Sequence, residues 1–443
     1  MNIAVFGAGY VGLVTAVCLA AQGNKVTVVE KDRDKLEKLQ EGRVTFYEPD
    51  VDSLLDAAMS SGQITFTSDS AAAIAPAELL FICVGTPALP DGSADLSQVE
   101  AVMRTILKHL SHYQIPSLQQ EAEGKLVVVK STVPVGTGDR LSRMAELHMQ
   151  SIGAAVPIEV ASNPEFLREG AAVHDFLFPD RIVIGVGSAR GERLLRELYR
   201  SFECPVLSTD TRTAEMIKYA SNSFLATKIS FINMVSDLCD KVQADVTHVA
   251  KGMGYDRRIG EQFLKAGIGF GGSCFPKDLQ AFAAVGRKHH VQVELLEQVI
   301  RINQERPVKL LEKLKDALWV MKGKRVTVLG LTFKPHTDDV RDCPASHVIA
   351  GLLREQAEVV AYDPVGMANF RAAYPELSAR MRFADNAYEA CDRSDGIVLL
   401  TEWPLFKELD WVRVLAKMET PYLLDARHYL IDEELGKLGF VCN

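Results

Sequence analysis

Residues 2–12 read Asn2-Ile3-Ala4-Val5-Phe6-Gly7-Ala8-Gly9-Tyr10-Val11-Gly12, and this stretch decides the fold. A short apolar run typical of a buried strand passes directly into a G-x-G-x-x-G pattern, and a helix-prone segment follows. A second strand-like run at residues 26–29 leads to Glu30, about 20 residues beyond the glycines. In this order the pattern predicts a Rossmann-like βαβ unit that binds a dinucleotide. The alternative is a tight strand–helix turn that binds nothing.

The glycines and the acidic residue each have a role in such a unit. Gly7 permits a tight turn, Gly9 lets a pyrophosphate approach the backbone, and Gly12 lets helix and strand pack closely. The pyrophosphate would lie at the N-terminus of the helix. A carboxylate at Glu30 accepts hydrogen bonds from a ribose 2′-hydroxyl and repels a 2′-phosphate. The sequence therefore favours NAD over NADP.

Strand-like runs continue to alternate with helix-like segments, at residues 79–84, 126–130, 158–161 and 181–186. Loops at the carboxyl ends of parallel strands face the ligand crevice, so Thr132 is a candidate to contact cofactor or substrate. It could equally be a simple strand cap. Glu165 and Glu169 are four residues apart and would share one face if this segment were helical. Such a pair indicates either a site or a solvated surface.

The chain changes character at residues 211–249, where strand signals stop and a long helical period begins. Glu215, Lys218 and Asn222 follow one stripe of that helix, at i, i+3 and i+7. The stripe could be solvated or could line a cleft. The residues around it are too apolar for a lone exposed helix. We therefore expect this helix to be buried between domains or between subunits.

A glycine-rich segment follows, Gly269-Phe270-Gly271-Gly272-Ser273-Cys274-Phe275-Pro276-Lys277-Asp278. Pro276 suits the first turn of a helix, which would put Cys274 just ahead of a helix N-terminus. That position and the nearby Lys277 favour a thiolate. Asp278 would lie one helical turn from the sulfur, as a possible base. Cys274 is therefore a candidate nucleophile, the alternative being a buried cysteine beside a glycine-rich loop.

A second α/β pattern begins near residue 323, with strand-like runs at residues 325–329, 359–362, 396–400 and 422–424. It predicts another parallel sheet, without a second G-x-G-x-x-G pattern. Lys334 and Arg341 flank a loop at a strand's carboxyl end, which indicates either phosphate binding or plain surface charge. We expect an α/β fold with three domains: residues 1–205 as a Rossmann-like domain for NAD, residues 206–305 as a helical domain with the cysteine, and residues 306–443 as a second Rossmann-like domain for a phosphate-bearing substrate.

The bulk composition narrows the partners and the compartment. The chain has 443 residues and a net charge of −9, which disfavours a nucleic-acid binder. Its eight cysteines are scattered without a Cys-x-x-Cys pair, so we expect neither a metal site nor a disulfide framework. That usage favours a reducing cytoplasm. Apolar runs fall short of the ~18 residues of a membrane span, so no membrane association is expected.

A thiolate in an NAD enzyme has a specific use. Oxidation of an alcohol gives an aldehyde, which a thiolate traps as a thiohemiacetal; a second oxidation gives a thioester, and water releases the acid. Lys218 and Asn222 could stabilise the oxyanions, and Asp278 could activate the water. The sequence thus indicates an enzyme with NAD in the first domain and a phosphate-bearing substrate in the last.

Six segments carry a resemblance to a known family: residues 7–12, 131–134, 163–170, 222–231, 271–278 and 337–342. In this order, over essentially the whole length, they resemble the bacterial type of the UDP-glucose/GDP-mannose dehydrogenase family. The resemblance implies oxidation of UDP-glucose to UDP-glucuronate with two NAD through Cys274. It also implies that residues 306–443 bind the UDP-sugar and that residues 206–305 pair the enzyme into a homodimer through the central helix. The alternative is a UDP-N-acetyl-hexosamine or GDP-mannose dehydrogenase of the same family. A scaffold that has lost catalysis would have no need of Cys274, Lys218, Asn222 and Asp278 together.

The same resemblance implies roles for individual residues. Glu165 and Thr132 would join Cys274, Asp278, Lys218 and Asn222 in the chemistry. The implied NAD contacts beyond the glycines are Val11, Glu30, Lys35, Thr86, Thr132, Glu169, Lys277 and Arg341. The implied substrate contacts are Glu165, Phe166, Leu167, Arg168, Glu169, Lys218, Asn222, Arg258, Phe263, Leu264, Lys265, Ala266, Gly267, Gly271 and Lys334. Two positions depart from the family pattern: Met234, where an acidic residue is expected, and Cys343, where a serine is expected.

Overall fold

The computed structural model describes residues 1–111, 124–152, 158–430 and 432–442. By compactness the chain divides into two units, Met1–Ser221 and Asn222–Asn443. A long helix, Thr211–Val242, begins in the first unit and continues in the second. The described residues include no helix that is both long and apolar enough to cross a membrane.

The first unit is built on an eight-stranded sheet with the order β3-β2-β1-β4-β5-β6-β7-β8. All neighbours are parallel except β6 and β7, which pair antiparallel. The strands are β1 Asn2–Phe6, β2 Lys25–Val29, β3 Ile64–Thr67, β4 Leu79–Ile82, β5 Lys125–Val129, β6 Ile158–Ser162, β7 Ile182–Gly185 and β8 Val206–Thr209. The order reverses between β1 and β4, where doubly wound sheets bind ligands beyond their carboxyl ends.

Helices cover both faces of this sheet, which is why its central strands are almost wholly apolar and buried. The helices are α1 Tyr10–Ala21, α2 Arg33–Gln40, α3 Val51–Ser60, α4 Ser70–Ile74, α5 Ser97–Ser111, α6 Thr137–Ile152, α7 Ala172–Leu177 and α8 Ala189–Leu198. Two separate apolar clusters, one on each side of the sheet, form the core. The Rossmann-like first domain is thereby confirmed.

The second unit contains a six-stranded, all-parallel sheet with the order β11-β10-β9-β12-β13-β14. Its strands are β9 Arg325–Leu329, β10 Glu358–Tyr362, β11 Arg382–Phe383, β12 Gly396–Leu399, β13 Tyr422–Asp425 and β14 Val441–Cys442. This order matches that of the first six strands of the other sheet. The prediction of a second Rossmann-like sheet is therefore confirmed.

The helices of the central and C-terminal regions are α9 Thr211–Val242, α10 Val246–Gly254, α11 Phe275–Lys288, α12 Glu294–Leu318, α13 Pro344–Arg354, α14 Met367–Ala373, α15 Pro375–Ser378, α16 Ala387–Ala390, α17 Trp411–Leu415 and α18 Asp432–Leu438, with a 3₁₀ turn at Pro404–Phe406. Helix α12 contains Pro307, which is buried. The three-domain division stays a prediction.

Candidate active site

The turn after β1 has the geometry that a dinucleotide needs. Gly7 has a φ of +96°, and a Cβ there would lie 2.9 Å from the Cys83 carbonyl oxygen. A Cβ at Gly12 would lie 1.9 Å from the Gly7 carbonyl oxygen, so helix and strand could not pack as they do. At Gly9, the N-cap of α1, a Cβ would meet no described atom within 4 Å. The turn is therefore tightly packed at Gly7 and Gly12 and open at Gly9. This arrangement fits a pyrophosphate bound at the helix N-terminus.

Glu30 follows β2 and faces the same turn. Its carboxylate accepts hydrogen bonds from the backbone N–H groups of Ala8, at 3.1 Å, and Lys31, at 2.7 Å. Lys35, at the start of α2, lies 3.5 Å from the same carboxylate. Val11 is half-buried in the first turn of α1. Glu30 thus lies beside the dinucleotide turn, and the NAD contacts of Glu30, Lys35 and Val11 stay predictions.

Thr86 and Thr132 follow the neighbouring strands β4 and β5, and the structure brings them together. The Thr86 hydroxyl donates to the Thr132 carbonyl oxygen at 2.8 Å, and both residues are buried. Ser131 extends the link by donating to the Val84 carbonyl oxygen at 2.7 Å. Since β4 lies next to the point where the strand order reverses, both threonines belong to the ligand-binding edge of the sheet.

Glu165 and Lys218 form a buried ion pair in the first unit, 2.8 Å apart, with side chains only 5% and 4% exposed. Burial alone would raise the pKa of Glu165, but the Lys218 ammonium and the N–H of Leu167 lower it below its usual value. The Phe166 ring lies 5.3 Å from the Lys218 Nζ atom and 3.7 Å from the Arg181 guanidinium. The pair therefore holds an anion and a cation in place at neutral pH.

The rest of the loop at residues 163–170 is held by α7. Arg168 donates from its backbone N–H and its guanidinium to Asp175, at 2.6–2.9 Å. Its charge is thus engaged within the protein, while its role as a substrate contact stays a prediction. Glu169 is buried and lies near the Tyr10 hydroxyl, whose pKa it helps to raise. Leu167 donates its N–H to Glu165 at 2.5 Å.

Lys130, the residue after β5, is a buried cation that the sequence analysis missed. Its Nζ atom donates to the Asn163 side-chain oxygen at 2.9 Å. Burial lowers the pKa of Lys130 to about 8, and Cys83, Glu165 and Lys218 are the charged or titratable groups that act on it. The signal available in the sequence was a single lysine between a buried strand and the Ser131–Thr132 loop.

In the second unit Cys274 is the N-cap of α11, as predicted, and it is half-buried. Its sulfur lies 3.6 Å from the Ser273 hydroxyl. Asp278, one turn further on, is 1% exposed and accepts hydrogen bonds from Asn222 Nδ2 and Lys277 Nζ, each at 2.6 Å. The structure therefore joins three of the candidate residues, Asn222, Lys277 and Asp278, into one hydrogen-bonded group beside the start of the cysteine helix.

The glycines before Cys274 are needed for close packing. Gly272 has a φ of +83°, and a Cβ there would lie within 2.8–2.9 Å of the Phe333 ring. A Cβ at Gly271 would lie 2.2 Å from the Asp342 carbonyl oxygen. The Gly272 N–H donates to the Arg341 carbonyl oxygen at 2.9 Å. The cysteine segment is thus fixed against the loop that carries Lys334 and Arg341.

Arg427, after β13, is a second residue that sequence reasoning missed. Its guanidinium donates to the carbonyl oxygens of Gly269 at 3.1 Å, Phe333 at 2.8 Å and Leu400 at 2.7 Å. It also lies 3.3 Å from Glu402. One side chain therefore ties the cysteine segment to two loops at the carboxyl edge of the second sheet. The only sequence signal was an arginine following a strand that ends in Asp425.

The remaining predicted contacts lie in the same unit. Residues 263–267 form a loop in which Leu264, Ala266 and Gly267 are buried and Lys265 is exposed. Phe263 has a φ of +64°. Arg341 forms a two-point contact with Asp339, at 2.8 and 2.9 Å, and the Lys334 ammonium lies 5.4 Å from the Phe333 ring. Arg258 is exposed and pairs with Asp256. The ligand roles of these residues stay predictions.

The two departures from the family pattern have plain environments. Met234 lies half exposed on α9, and Cys343 is fully buried as the N-cap of α13. Burial raises the pKa of the Cys343 thiol to about 11, so it is not a competing thiolate.

Within the described residues, no group of three or more His, Cys, Asp or Glu side chains is arranged to hold a metal ion.

The fold and the turn after β1 define an α/β enzyme that binds a dinucleotide. Models of three domains match the chain: an NAD binding domain at residues 1–203, a central domain at 212–305 and a UDP binding domain at 327–432. The chain belongs to the UDP-glucose/GDP-mannose dehydrogenase family. The prediction of NAD as the cofactor is confirmed.

Named relatives resemble the chain over nearly its full length. It is 44% identical to a UDP-glucose 6-dehydrogenase of Rhizobium meliloti, covering 99% of this chain and 98% of that protein. A solved UDP-glucose dehydrogenase of Pyrobaculum islandicum is 38% identical, with a TM-score of 0.88 over 96% of this chain and 94% of that one. A UDP-D-ManNAc dehydrogenase of Pyrococcus horikoshii is 27% identical, with a TM-score of 0.85 over 100% and 98% of the two chains.

Proposed function

We propose that this enzyme oxidises the C6 alcohol of UDP-glucose to the carboxylate of UDP-glucuronate, using two NAD in succession. The support is the family membership together with the higher identity to proteins named for UDP-glucose than to the one named for UDP-D-ManNAc. The observation that carries the chemistry is Cys274 at the N-terminus of α11, with the buried Asn222–Asp278 pair one turn further along.

The two oxidations balance as follows. NAD, when bound, accepts a hydride from C6 of the sugar in each oxidation. The alcohol first becomes an aldehyde, with loss of its hydroxyl proton to a base. The Cys274 thiolate adds to the aldehyde carbon and forms a thiohemiacetal, whose oxidation gives a thioester. Water then attacks the thioester carbon, the C–S bond breaks, and the acid and the Cys274 thiol are released.

Residues of the first unit would stabilise charge that develops on the substrate and accept protons during these steps. The Lys218 ammonium is suited to stabilise the oxyanions that develop at C6. Glu165 keeps that ammonium in position and is itself held anionic, so it can accept a proton, directly or through a water. Thr132, whose backbone carbonyl accepts from Thr86, would present its hydroxyl to the same reaction.

The residues of the second unit would supply the nucleophile and the base. The free N–H groups at the start of α11 favour a thiolate at Cys274. The Asn222 amide donates a hydrogen bond to Asp278, which fixes both side chains. Asp278 would then take a proton from the water that cleaves the thioester. Lys277 holds the second carboxylate oxygen and limits its movement.

The apolar surface of α9 supports pairing into a homodimer. Phe224, Phe231, Leu238 and Val242 are 46–66% exposed and fall on one stripe of the helix, at intervals of seven and four residues. Met234 lies between them and is also exposed. A second copy of the same helix would cover this stripe, because an isologous contact uses the same surface patch on both copies. Among the described residues, which include all eight cysteines, no disulfide bond is formed, which fits the cytoplasmic location proposed for the enzyme.

The nucleotide-sugar specificity is the first point to test. The protein is incubated with NAD and, separately, with UDP-glucose, UDP-N-acetylglucosamine, UDP-N-acetylmannosamine and GDP-mannose, and NADH formation is followed. The proposal expects UDP-glucose to have the highest kcat/KM. A higher value for an N-acetylated sugar or for GDP-mannose would assign the enzyme to a different branch of its family.

A further inference from the structure

A buried carboxylate in the first unit contacts two functional segments at once. Glu48 lies in the loop between α2 and α3 and is only 3% exposed. Its Oε2 atom accepts hydrogen bonds from the Tyr10 hydroxyl and from the Gly170 N–H, the latter at 2.5 Å. Its Oε1 atom accepts from the Ala172 N–H at 2.6 Å. Both oxygens of this carboxylate are therefore used within the protein.

The donors to Glu48 come from segments with different roles. Tyr10 is the first residue of α1 and belongs to the glycine-rich turn at residues 7–12. Gly170 ends the loop at residues 163–170, and Ala172 begins α7. The Gly170 N–H also lies 3.0 Å from the Tyr10 hydroxyl oxygen, so the three groups form one closed network. Glu48 thus connects the dinucleotide turn to the loop that carries Glu165 and Glu169.

The network has a fixed direction of hydrogen bonding. Burial, followed by the charge of Glu48, raises the pKa of the Tyr10 hydroxyl, so it stays protonated and donates to the carboxylate. The Tyr10 ring is packed with its centroid 5.2 Å from that of Phe46, close to Glu48 in sequence. Gly170 has a φ of +80°, which favours glycine there, and its N–H donates to Glu48.

A buried carboxylate is energetically unfavourable if its only role is to fill space in the core. Taking a charge out of water costs several kcal/mol unless its hydrogen bonds are made, and an apolar side chain of similar size is often as stabilising. What the carboxylate adds is direction, because it fixes three donors from two segments relative to one another. The loop is also held by Arg168, whose guanidinium donates to Asp175 of α7.

We propose that Glu48 is a positioning residue which, through Tyr10, couples occupancy of the dinucleotide turn to the conformation of the loop at residues 163–170. NAD bound at the turn would restrict the movement of Tyr10. Through its hydrogen bonds, Glu48 would then restrict the N–H groups of Gly170 and Ala172 as well. The coupling is reciprocal, so a ligand on the loop strengthens NAD binding by the same factor. The identity of the loop's ligand as a nucleotide sugar rests on the proposed function; the coupling itself does not.

The test uses Glu48→Gln and Tyr10→Phe in the full-length protein, with Glu37→Gln, an exposed glutamate of α2, as the matched control. In Glu48→Gln the side-chain amide keeps one oxygen as an acceptor. Its NH2 group replaces the second oxygen and cannot accept from the backbone N–H donor there. Tyr10→Phe keeps the ring against Phe46 and loses only the hydroxyl. Hydrogen–deuterium exchange of peptides covering residues 165–175 is measured with and without saturating NAD, and NAD affinity is measured by titration.

In the wild type and in Glu37→Gln, NAD should slow exchange in residues 165–175 by about fivefold or more, the usual lower range of coupling between sites. In both network variants the NAD-dependent slowing should fall below about twofold, while NAD still binds. Equal slowing in Tyr10→Phe and the wild type, or no slowing in the wild type, would overturn the proposal. If Glu48→Gln fails to fold or to bind NAD, Tyr10→Phe decides. Inactivity of the wild type toward UDP-glucose would instead refute the proposed function and leave this result standing.

Discussion

The Nδ2 atom of Asn222 lies 2.6 Å from the Oδ2 atom of Asp278, and both side chains are buried. Asn222 comes from α9 and Asp278 from the first turn of the cysteine helix. The Nδ2 group of Asn222 can only donate in this contact, so the Asp278 carboxylate is the acceptor. The hydrogen bond fixes the orientation of that carboxylate, as a general base requires.

Asp278→Asn should remove that base and leave the fold intact. We expect kcat to fall by about 10²–10⁴, the usual contribution of general base catalysis, because the amide cannot take a proton from water. NAD affinity should be unchanged. Steady-state NADH formation with UDP-glucose measures the first effect and titration the second. Asp240→Asn, which alters an exposed carboxylate of α9 paired with Lys313, is the control and should stay near wild-type activity.

Lys218→Met should destabilise the first unit as well as inactivate the enzyme. It leaves the Glu165 carboxylate buried without its cation, which costs about 3–5 kcal/mol. Adding Glu165→Gln removes the stranded charge, so the double variant should regain much of the lost stability without regaining activity. Urea unfolding and NADH formation measure the two quantities. Recovery of activity along with stability would mean that Lys218 serves only the fold.

Arg427→Lys should loosen the attachment of the cysteine segment. A lysine cannot reproduce the fork that binds the carbonyl oxygens of Gly269, Phe333 and Leu400. Each hydrogen bond to a charged group contributes about 1.5–3 kcal/mol, so kcat/KM for UDP-glucose should fall by tenfold or more, at about 1.4 kcal/mol per tenfold. Arg393→Lys, at an exposed pair with Glu419, serves as the comparison and should have little effect.

Glu215 should make stability depend on pH near neutrality. It accepts from the N–H groups of Gly136 and Gly138 at 2.6 and 2.7 Å, yet burial raises its pKa to about 7 from 4.5. A raised folded pKa stabilises the protein below pH 4.5, and that contribution is lost as the pH rises through 7. Between pH 5 and 7.5 the free energy of unfolding should therefore decline more steeply in the wild type than in Glu215→Gln. Parallel profiles would contradict the assignment.

Leu238→Glu should separate the dimer. The leucine is 62% exposed on the apolar stripe of α9, and a carboxylate there would be buried in the contact of both copies without a cation to pair with. Light scattering after gel filtration should give a dimer for the wild type and a monomer for the variant. Leu147→Glu, at an exposed leucine of α6, should leave the mass unchanged. A dimeric Leu238→Glu would place the contact elsewhere.

Much of the fold could be predicted because its central strands are apolar runs that end in recognisable loops. The turn at Gly7 and the strand leading to Glu30 are local in sequence, and so is the placement of Cys274 ahead of α11. Four short edge strands, β3, β8, β11 and β14, were not predicted. They have only two to four residues each and lack a clear alternating pattern.

The supporting residues could not be predicted because their partners are distant in the chain. Arg427 binds a carbonyl oxygen 158 residues away, and Glu48 accepts from an N–H 124 residues away. Nothing in the neighbourhood of either residue distinguishes it from a surface charge. Lys130 is similar, since its burial depends on Asn163 and Tyr199, which come from other elements.

The central claim is that Cys274 carries the substrate through two oxidations, and the ratio of NADH formed to UDP-glucose consumed tests it most directly. Wild-type enzyme should give two NADH per UDP-glucose, with UDP-glucuronate as the product, whereas Cys274→Ala should form no acid while binding NAD as the wild type does. A ratio of one in the wild type, or UDP-glucuronate formed by Cys274→Ala at the wild-type rate, would contradict the account.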